Sequence, residues 1–249
     1  MKTHFISRLR SPGLPDDTGP VLLSEALSEP RSFPARQVIC RGDSEVTGFP
    51  VIISGWAARC QFVLDGGRQI TGLLVPGDLA YLGRMPGQVI DEEIVALSTC
   101  KVAWLPALVV EELVASHPVC GIALRSYAAL EYAMAISWLV NVGRRDAFER
   151  MAHFICEIHY RLSRVGLVQG AEFLFPLKQH ELADVLGLAP VHVNRKIQQL
   201  RQEGLIALKG RHLEILDLAR LRHMAGFQSA YLGDLATIDI SDAAGQLPG

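Results

Sequence analysis

No two cysteines of this chain lie near one another: Cys40, Cys60, Cys100, Cys120 and Cys156 are widely spaced. That spacing excludes a Cys-x-x-Cys pair and the four clustered thiolates of an iron–sulfur cluster, and it suits a reducing compartment. Histidine is missing between Ile6 and Ser116. A β-barrel built from that stretch cannot assemble the histidine-rich metal site of a cupin-type enzyme. Neither a Gly-x-Ser-x-Gly elbow nor a Walker loop occurs. The expectation is a non-enzyme with no metal and no cofactor. A jelly-roll enzyme fused to a winged helix stays open as an alternative of a different class.

Uninterrupted apolar runs are also short, none approaching the roughly 20 residues that span a bilayer. The N-terminus, MKTHFISRLRSPGLPDDTGP, carries charges and prolines where a signal peptide needs an apolar stretch. A cytoplasmic protein without a membrane partner is expected. Excess charge of either sign is missing too, the formal net charge being −2. Affinity for a polyanion must therefore come from a local concentration of basic residues.

Such a concentration exists. Between 188 and 212 stand Arg195, Lys196, Arg201, Lys209 and Arg211 against Glu203 alone, the footprint of a phosphate-binding surface. The same region, 178 to 203, reads as two short helices around a turn. Leu182, Ala183 and Leu186 recur at helical spacing, Gly187 supplies the turn, and Pro190 suits a first helical position because its missing N–H has no partner there anyway. Val193, Ile197 and Leu200 repeat at i, i+4, i+7 and must face inward. His192, Asn194, Arg195, Gln198 and Gln199 are left on other faces, with the N-terminal ones placed where a recognition helix meets base edges. Two β-type runs around Lys209-Gly210-Arg211-His212 follow, as the wing of a winged helix would. An ordinary helical hairpin is the bland alternative.

The rest of the chain supports an α+β protein: an N-terminal jelly-roll-like β-barrel, a long dimerisation helix and a C-terminal winged helix-turn-helix. A loose arm is expected over 1–20, a β-roll over 21–116, a dimerisation helix and hinge over 117–145, the winged helix over 146–227 and a tail over 228–249. Short β-type runs from Arg31 to Pro106 are punctuated by turns such as Asp65-Gly66-Gly67. Residues 119 to 142 form one apolar helix with two stripes. One contains Ala123, Tyr127, Leu130 and Met134, and the other Ala128, Ala135, Trp138 and Val142. Two stripes need two partners, the barrel and the same helix of a second subunit. Nothing in the sequence marks a cysteine with a lowered pKa, and Cys120 on this helix is the first to test for a redox effect. In the next helix, 147 to 164, Phe148, Met151, Ile155, Ile158 and Leu162 form the core stripe. His153, Cys156 and His159 lie within one arc of it and read as core-flanking rather than as metal ligands.

In that order of parts, the chain resembles the Crp/Fnr superfamily of transcription regulators over roughly 20 to 225. The most specific stretch is LADVLGLAPVHVNRKIQQLRQEGLI, Leu182 to Ile206, supported by Ile53 to Ala57, Leu73 to Asp78 and Leu139 to Arg145. The resemblance implies a homodimer on a palindromic operator in double-stranded DNA, working with RNA polymerase. It implies that Arg195 reads guanine, with Asn194, Val191 and His192 as further base contacts. Valine at 191 replaces a glutamate that the family often carries, so only an apolar contact is available there. Gln179, His180, Lys209, Arg211 and His212 are expected on DNA phosphates, and Gly77, Asp78 and Arg84 at an effector pocket. The cassette that holds a cyclic nucleotide's phosphate in relatives has an arginine followed by a hydroxyl, whereas Ile90 and Asp91 stand at the matching positions. Asp91, Glu92 and Glu93 would repel a phosphate, so control by cyclic AMP is not expected. A cyclic-nucleotide-responsive regulator is the alternative within the same fold.

Overall fold

The computed structural model describes residues 2–10, 14–41, 47–64, 66–80 and 92–233. Arg84, Ile90, Asp91, the Asp65 position of the expected turn and the tail beyond 233 lie outside them.

Two helices open the chain, α1 (Thr3–Leu9) and α2 (Thr18–Glu25). The expected loose arm is thus in part a packed helix. Phe5 and Leu9, an i, i+4 pair, are buried in the N-terminal core, and Arg8 between them finds a buried carboxylate. Its charges and prolines concealed this apolar face. Seven strands follow: β1 (Arg31–Phe33), β2 (Val38–Cys40), β3 (Gly48–Ser54), β4 (Ala57–Phe62), β5 (Arg68–Leu74), β6 (Glu93–Ala96) and β7 (Cys100–Pro106). They pair antiparallel into two sheets, ordered β1-β7-β3 and β2-β6-β4-β5. The jelly-roll-like domain is thus built of two sheets that do not close into a continuous barrel among the described residues.

Strand alternation decides what each sheet face touches. Ala57, Leu74, Ile94 and Ala96 turn into the roll with Phe5, Leu9, Leu23 and Tyr127. Their neighbours Ala58, Leu73, Val75 and Val95 turn the other way and share a core with the C-terminal half. The outer face of one sheet thus seats the second half of the chain.

After α3 (Ala107–Ser116), α4 runs over Pro118–Arg144, 27 residues or about 40 Å at 1.5 Å per residue. Ala123, Tyr127 and Met134 are buried as expected. The second stripe differs. Trp138 packs edge-on to Phe154 at 6.0 Å, while Tyr132, Ile136, Leu139 and Val140 stand exposed at i, i+4, i+7, i+8. Helix α4 is also long and apolar enough, by length and composition, to cross a membrane. Polar and charged residues break up its apolar ones, so no unbroken apolar run marks this helix in the sequence although its average is apolar. Cys120 is fully buried against Gly19 rather than open to oxidants. Burial pushes its thiol up, and it pushes Cys60 and Cys100 to about 11 and Cys156 to about 12. Thiolate character is what makes cysteine reactive, so these four are poor nucleophiles.

Helix α5 (Ala147–Arg164) starts on a capping box, in which Asp146 accepts from the N–H groups of Phe148 and Glu149. Then come β8 (Glu172–Leu174), α6 (Gln179–Leu186), α7 (Pro190–Gln202), β9 (Ile206–Lys209), β10 (His212–Ile215), α8 (Leu218–Ala225) and a closing 3-10 turn at Ser229–Leu232. Strands β8-β10-β9 form a small antiparallel sheet beside the helices.

Candidate nucleic-acid interface

Gly187 ends α6 in the left-handed region at φ 62°, and extended Ala189 then leads into Pro190, the first residue of α7. This glycine turn sets the angle between the two helices. Val193, Ile197 and Leu200 are buried, as their spacing requires. Val191, His192, Asn194, Arg195 and Gln198 are exposed. Val191, Asn194, Arg195, Gln198, Gln199 and Gln202 line one open hollow along the helix. Three of the residues expected to read bases, Val191, Asn194 and Arg195, therefore share one exposed face, and His192 is exposed outside that hollow.

The wing turns at Gly210, φ 62°, with Lys209, Arg211 and His212 exposed around it. Gln179 and His180 are exposed at the start of α6. Not every basic residue of the local excess serves this surface. Lys196 lies over the Phe148 ring at 5.8 Å and donates to Gln199 Oε1 at 3.1 Å. The acidic charge of Glu203 is opposed by Arg220, 3.4 Å away. Every group left on the face is cationic, polar or apolar, which suits a polyanion.

The expected effector residues are placed differently. Asp78 is fully buried and accepts from Arg8 Nε at 2.5 Å, Arg161 Nη2 at 2.6 Å and the Val75 N–H at 2.7 Å. Burial alone would raise its pKa, but Arg8 and Arg161 prevail and hold the carboxyl below the ordinary range. Gly77, at φ 93°, packs so closely that a Cβ would meet His4 O at 2.5 Å. Both residues lock α1, the roll and α5 together. Arg161 also lies 3.6 Å from Glu157 Oε1, and the Tyr231 hydroxyl donates to Glu157 Oε2 at 2.7 Å. This buried charge relay runs from the N-terminal helix to the C-terminal turn. Beyond the Pro76-Gly77-Asp78 turn and the i, i+4 spacing of Glu157 and Arg161, the sequence carried no sign of it, because Arg8, Asp78 and Tyr231 lie far from that pair in the chain.

Between the outer sheet face, α4 and α5 lies a cavity of about 50 Å³, lined in part by Arg59, Glu131, Glu157, Arg161 and Trp138. Pockets that enclose a small molecule usually hold about 300–1,000 Å³. Arg59 is held by Glu131 at 2.8 Å, and Arg161 by Asp78. These two guanidinium groups are thus engaged by carboxylates.

His153, Cys156 and His159 are buried core residues, and among the described residues no group of three or more His, Cys, Asp or Glu could hold a metal. His153 lies between Phe227 and Tyr231, and desolvation, helped by Arg145, pulls its pKa down to about 3. A depressed histidine contributes stability that is present above its unfolded pKa of about 6.5 and lost as pH falls towards about 3. His153→Phe should flatten the loss of stability across that window, measured by urea unfolding at a series of pH values.

A Crp-like helix-turn-helix domain matches residues 149–224, and a cyclic nucleotide-binding domain matches residues 30–117. The chain is 30% identical over 203 residues to the transcriptional activator protein FnrL of Cereibacter sphaeroides, covering 80% of this chain and 81% of FnrL. It is 27% identical over 206 residues to the nitrogen fixation regulation protein FixK of Azorhizobium caulinodans, with 82% of each covered. The structure of FixK2 from Bradyrhizobium japonicum superposes with a TM-score of 0.73 at 23% identity, over 81% of this chain and 98% of that one.

Proposed function

Since the chain belongs to the Crp/Fnr family of transcription regulators, we propose that it binds a palindromic operator as a homodimer, with Arg195 reading guanine and the β-roll controlled by something other than cyclic AMP. One observation carries this reading: Arg195, Asn194, His192 and Val191 are exposed on one free helix while Val193, Ile197 and Leu200 anchor it. A guanidinium can donate two parallel hydrogen bonds to guanine O6 and N7. Asn194 can serve an adjacent base, and Val191 a thymine methyl. Gln179, His180, Lys209, Arg211 and His212 flank the helix for phosphates. Selecting bound fragments from a random DNA pool tests the proposal. It expects two inverted half-sites about 34 Å apart, centre to centre; no enriched sequence, or a single half-site, would overturn it.

The exposed stripe of Tyr132, Ile136, Leu139 and Val140 supports a dimer through α4. Burying a leucine contributes about 1.5–3 kcal/mol, and a two-fold interface buries each one twice. Leu139→Glu should therefore raise the dimer dissociation constant at least tenfold in sedimentation equilibrium, and operator affinity should fall with it. The activator names of its relatives support a contact with RNA polymerase.

A second reading, a cyclic-nucleotide responder, is favoured by the match over 30–117. Against it stand Ile90 and Asp91 at the matching cassette positions, and Arg59 and Arg161 engaged by carboxylates. Calorimetry with cyclic AMP separates the two readings, micromolar binding favouring the second.

A further inference from the structure

A second cavity, of about 70 Å³, opens where α1, α4, α5 and the closing 3-10 turn meet. Its polar lining comes from Ser7, Arg8 and Arg10 on the N-terminal segment, Ser126 on α4, and Tyr160 and Arg164 on α5. Among the described residues that line it are three guanidinium groups and no carboxylate. Two of the three have a carboxylate already. Arg10 pairs with Asp17 outside the cavity, and Arg8 gives its Nε to Asp78. Arg8 lines the cavity and is 7% exposed, while its Nη2 is closed to solvent and has no hydrogen-bond partner among the described residues. Arg164 makes no ion pair among the described residues. A buried guanidinium nitrogen left unpaired is unfavourable by about 1–3 kcal/mol or more, and guanidinium donors match the oxygens of phosphate geometrically.

We propose that this cavity is a binding site for a small tetrahedral oxyanion, inorganic phosphate or the phosphate head of a small monoester, held by Arg8 and Arg164 with Ser7 and Ser126 supplying hydroxyl donors. A volume of about 70 Å³ exceeds the roughly 10–15 Å³ needed by one water. It suits an ion of that size with a monoester's carbon tail leaving through the open side. The site is remote in function from the recognition helix, yet its walls come from both halves of the chain. An occupant would tie α1 and α4 to α5 and stiffen the seating of the DNA-binding half, because anything that binds the folded arrangement alone stabilises it.

The test uses the full-length dimer at constant ionic strength, with inorganic phosphate and glycerol 3-phosphate as probes, read by calorimetry and thermal unfolding. Saturable binding with a rise in melting temperature is expected. Arg164→Ala, at the rim, should keep the melting temperature of the phosphate-free protein and weaken phosphate at least tenfold. Arg8→Lys, which keeps a cation beside Asp78 but removes the second nitrogen, should weaken it as well. Tighter binding of the monoester would identify the phosphate head of a metabolite as the source, and equal binding the free ion. The proposal is overturned if neither probe binds, or if binding survives both substitutions. It is also overturned if binding is lost in Arg195→Ala and Lys209→Ala but kept in Arg164→Ala, which would assign the phosphate to the DNA face.

Discussion

Replacing Arg195 by alanine should reduce affinity for the selected operator by about five- to more than a hundredfold while leaving binding to unrelated DNA almost unchanged. The figure is the discrimination a bidentate arginine–guanine pair supplies, about 1–3 kcal/mol, at about 1.4 kcal/mol per tenfold. The contrast with the wing gives this result its meaning. Lys209→Ala removes a charge that we propose faces phosphates whatever the sequence, so it should weaken operator and random DNA alike and flatten the dependence of log K on log salt by about 0.9. Fluorescence anisotropy over a salt series with both DNAs separates the two effects. If Arg195→Ala kept full preference for the operator, the base-reading role would pass to Asn194 or His192.

The second large effect is expected far from DNA. Asp78→Ala should destabilise the protein by about 3–5 kcal/mol, the usual consequence of leaving buried charges unpaired. Here both the Arg8 and the Arg161 guanidinium would lose their carboxylate. In a chain of this size that corresponds to a fall in melting temperature of the order of 10 °C, read by scanning calorimetry. A change within 2 °C of zero, by that rough scale, would mean that the relay holds nothing together.

The relay's two acids should behave oppositely with pH. Asp78, with its carboxyl held low, contributes stability that is present above its unfolded pKa and lost as pH falls through the depressed folded value. Glu157 is raised, because desolvation outweighs Arg161 and the Tyr231 hydroxyl. Its contribution is present below the unfolded pKa and lost as pH rises through the raised folded value. Glu157→Gln, which still accepts from Tyr231, should therefore be tolerated at neutral pH, where Asp78→Asn is not.

These two predictions rest on parts of the molecule that differed in how far the sequence revealed them. The Arg195 face was legible because helix periodicity, Gly187, Pro190 and the wing glycine act within a few residues of one another. Helix α4 was legible in its length and in the stripe of Ala123, Tyr127 and Met134, but its second face was misassigned. Trp138 looked free for a partner subunit, yet it packs on Phe154, because the C-terminal half seats on the roll's outer sheet and takes that side of α4. The burial of Cys120 was equally hidden, since no periodicity tells which side of a doubly apolar helix a neighbour will cover. Asp78 was singled out for its turn, but its two guanidinium partners were hidden, because they lie 70 and 83 residues away.

By itself the sequence determined the order of parts, the helix-turn-helix with its wing, the basic bias of that surface and the lack of thiol or histidine clusters. Each follows from spacing, turn chemistry or composition, which are properties of short stretches of chain. Only the tertiary structure decided that α1 is packed rather than loose, which stripe of α4 stays open, and that Arg8, Asp78, Arg161, Glu157 and Tyr231 form one buried relay beside a cationic cavity. Those features come from groups far apart in the chain whose charges must find partners once water is excluded, and no local pattern records which partners they find.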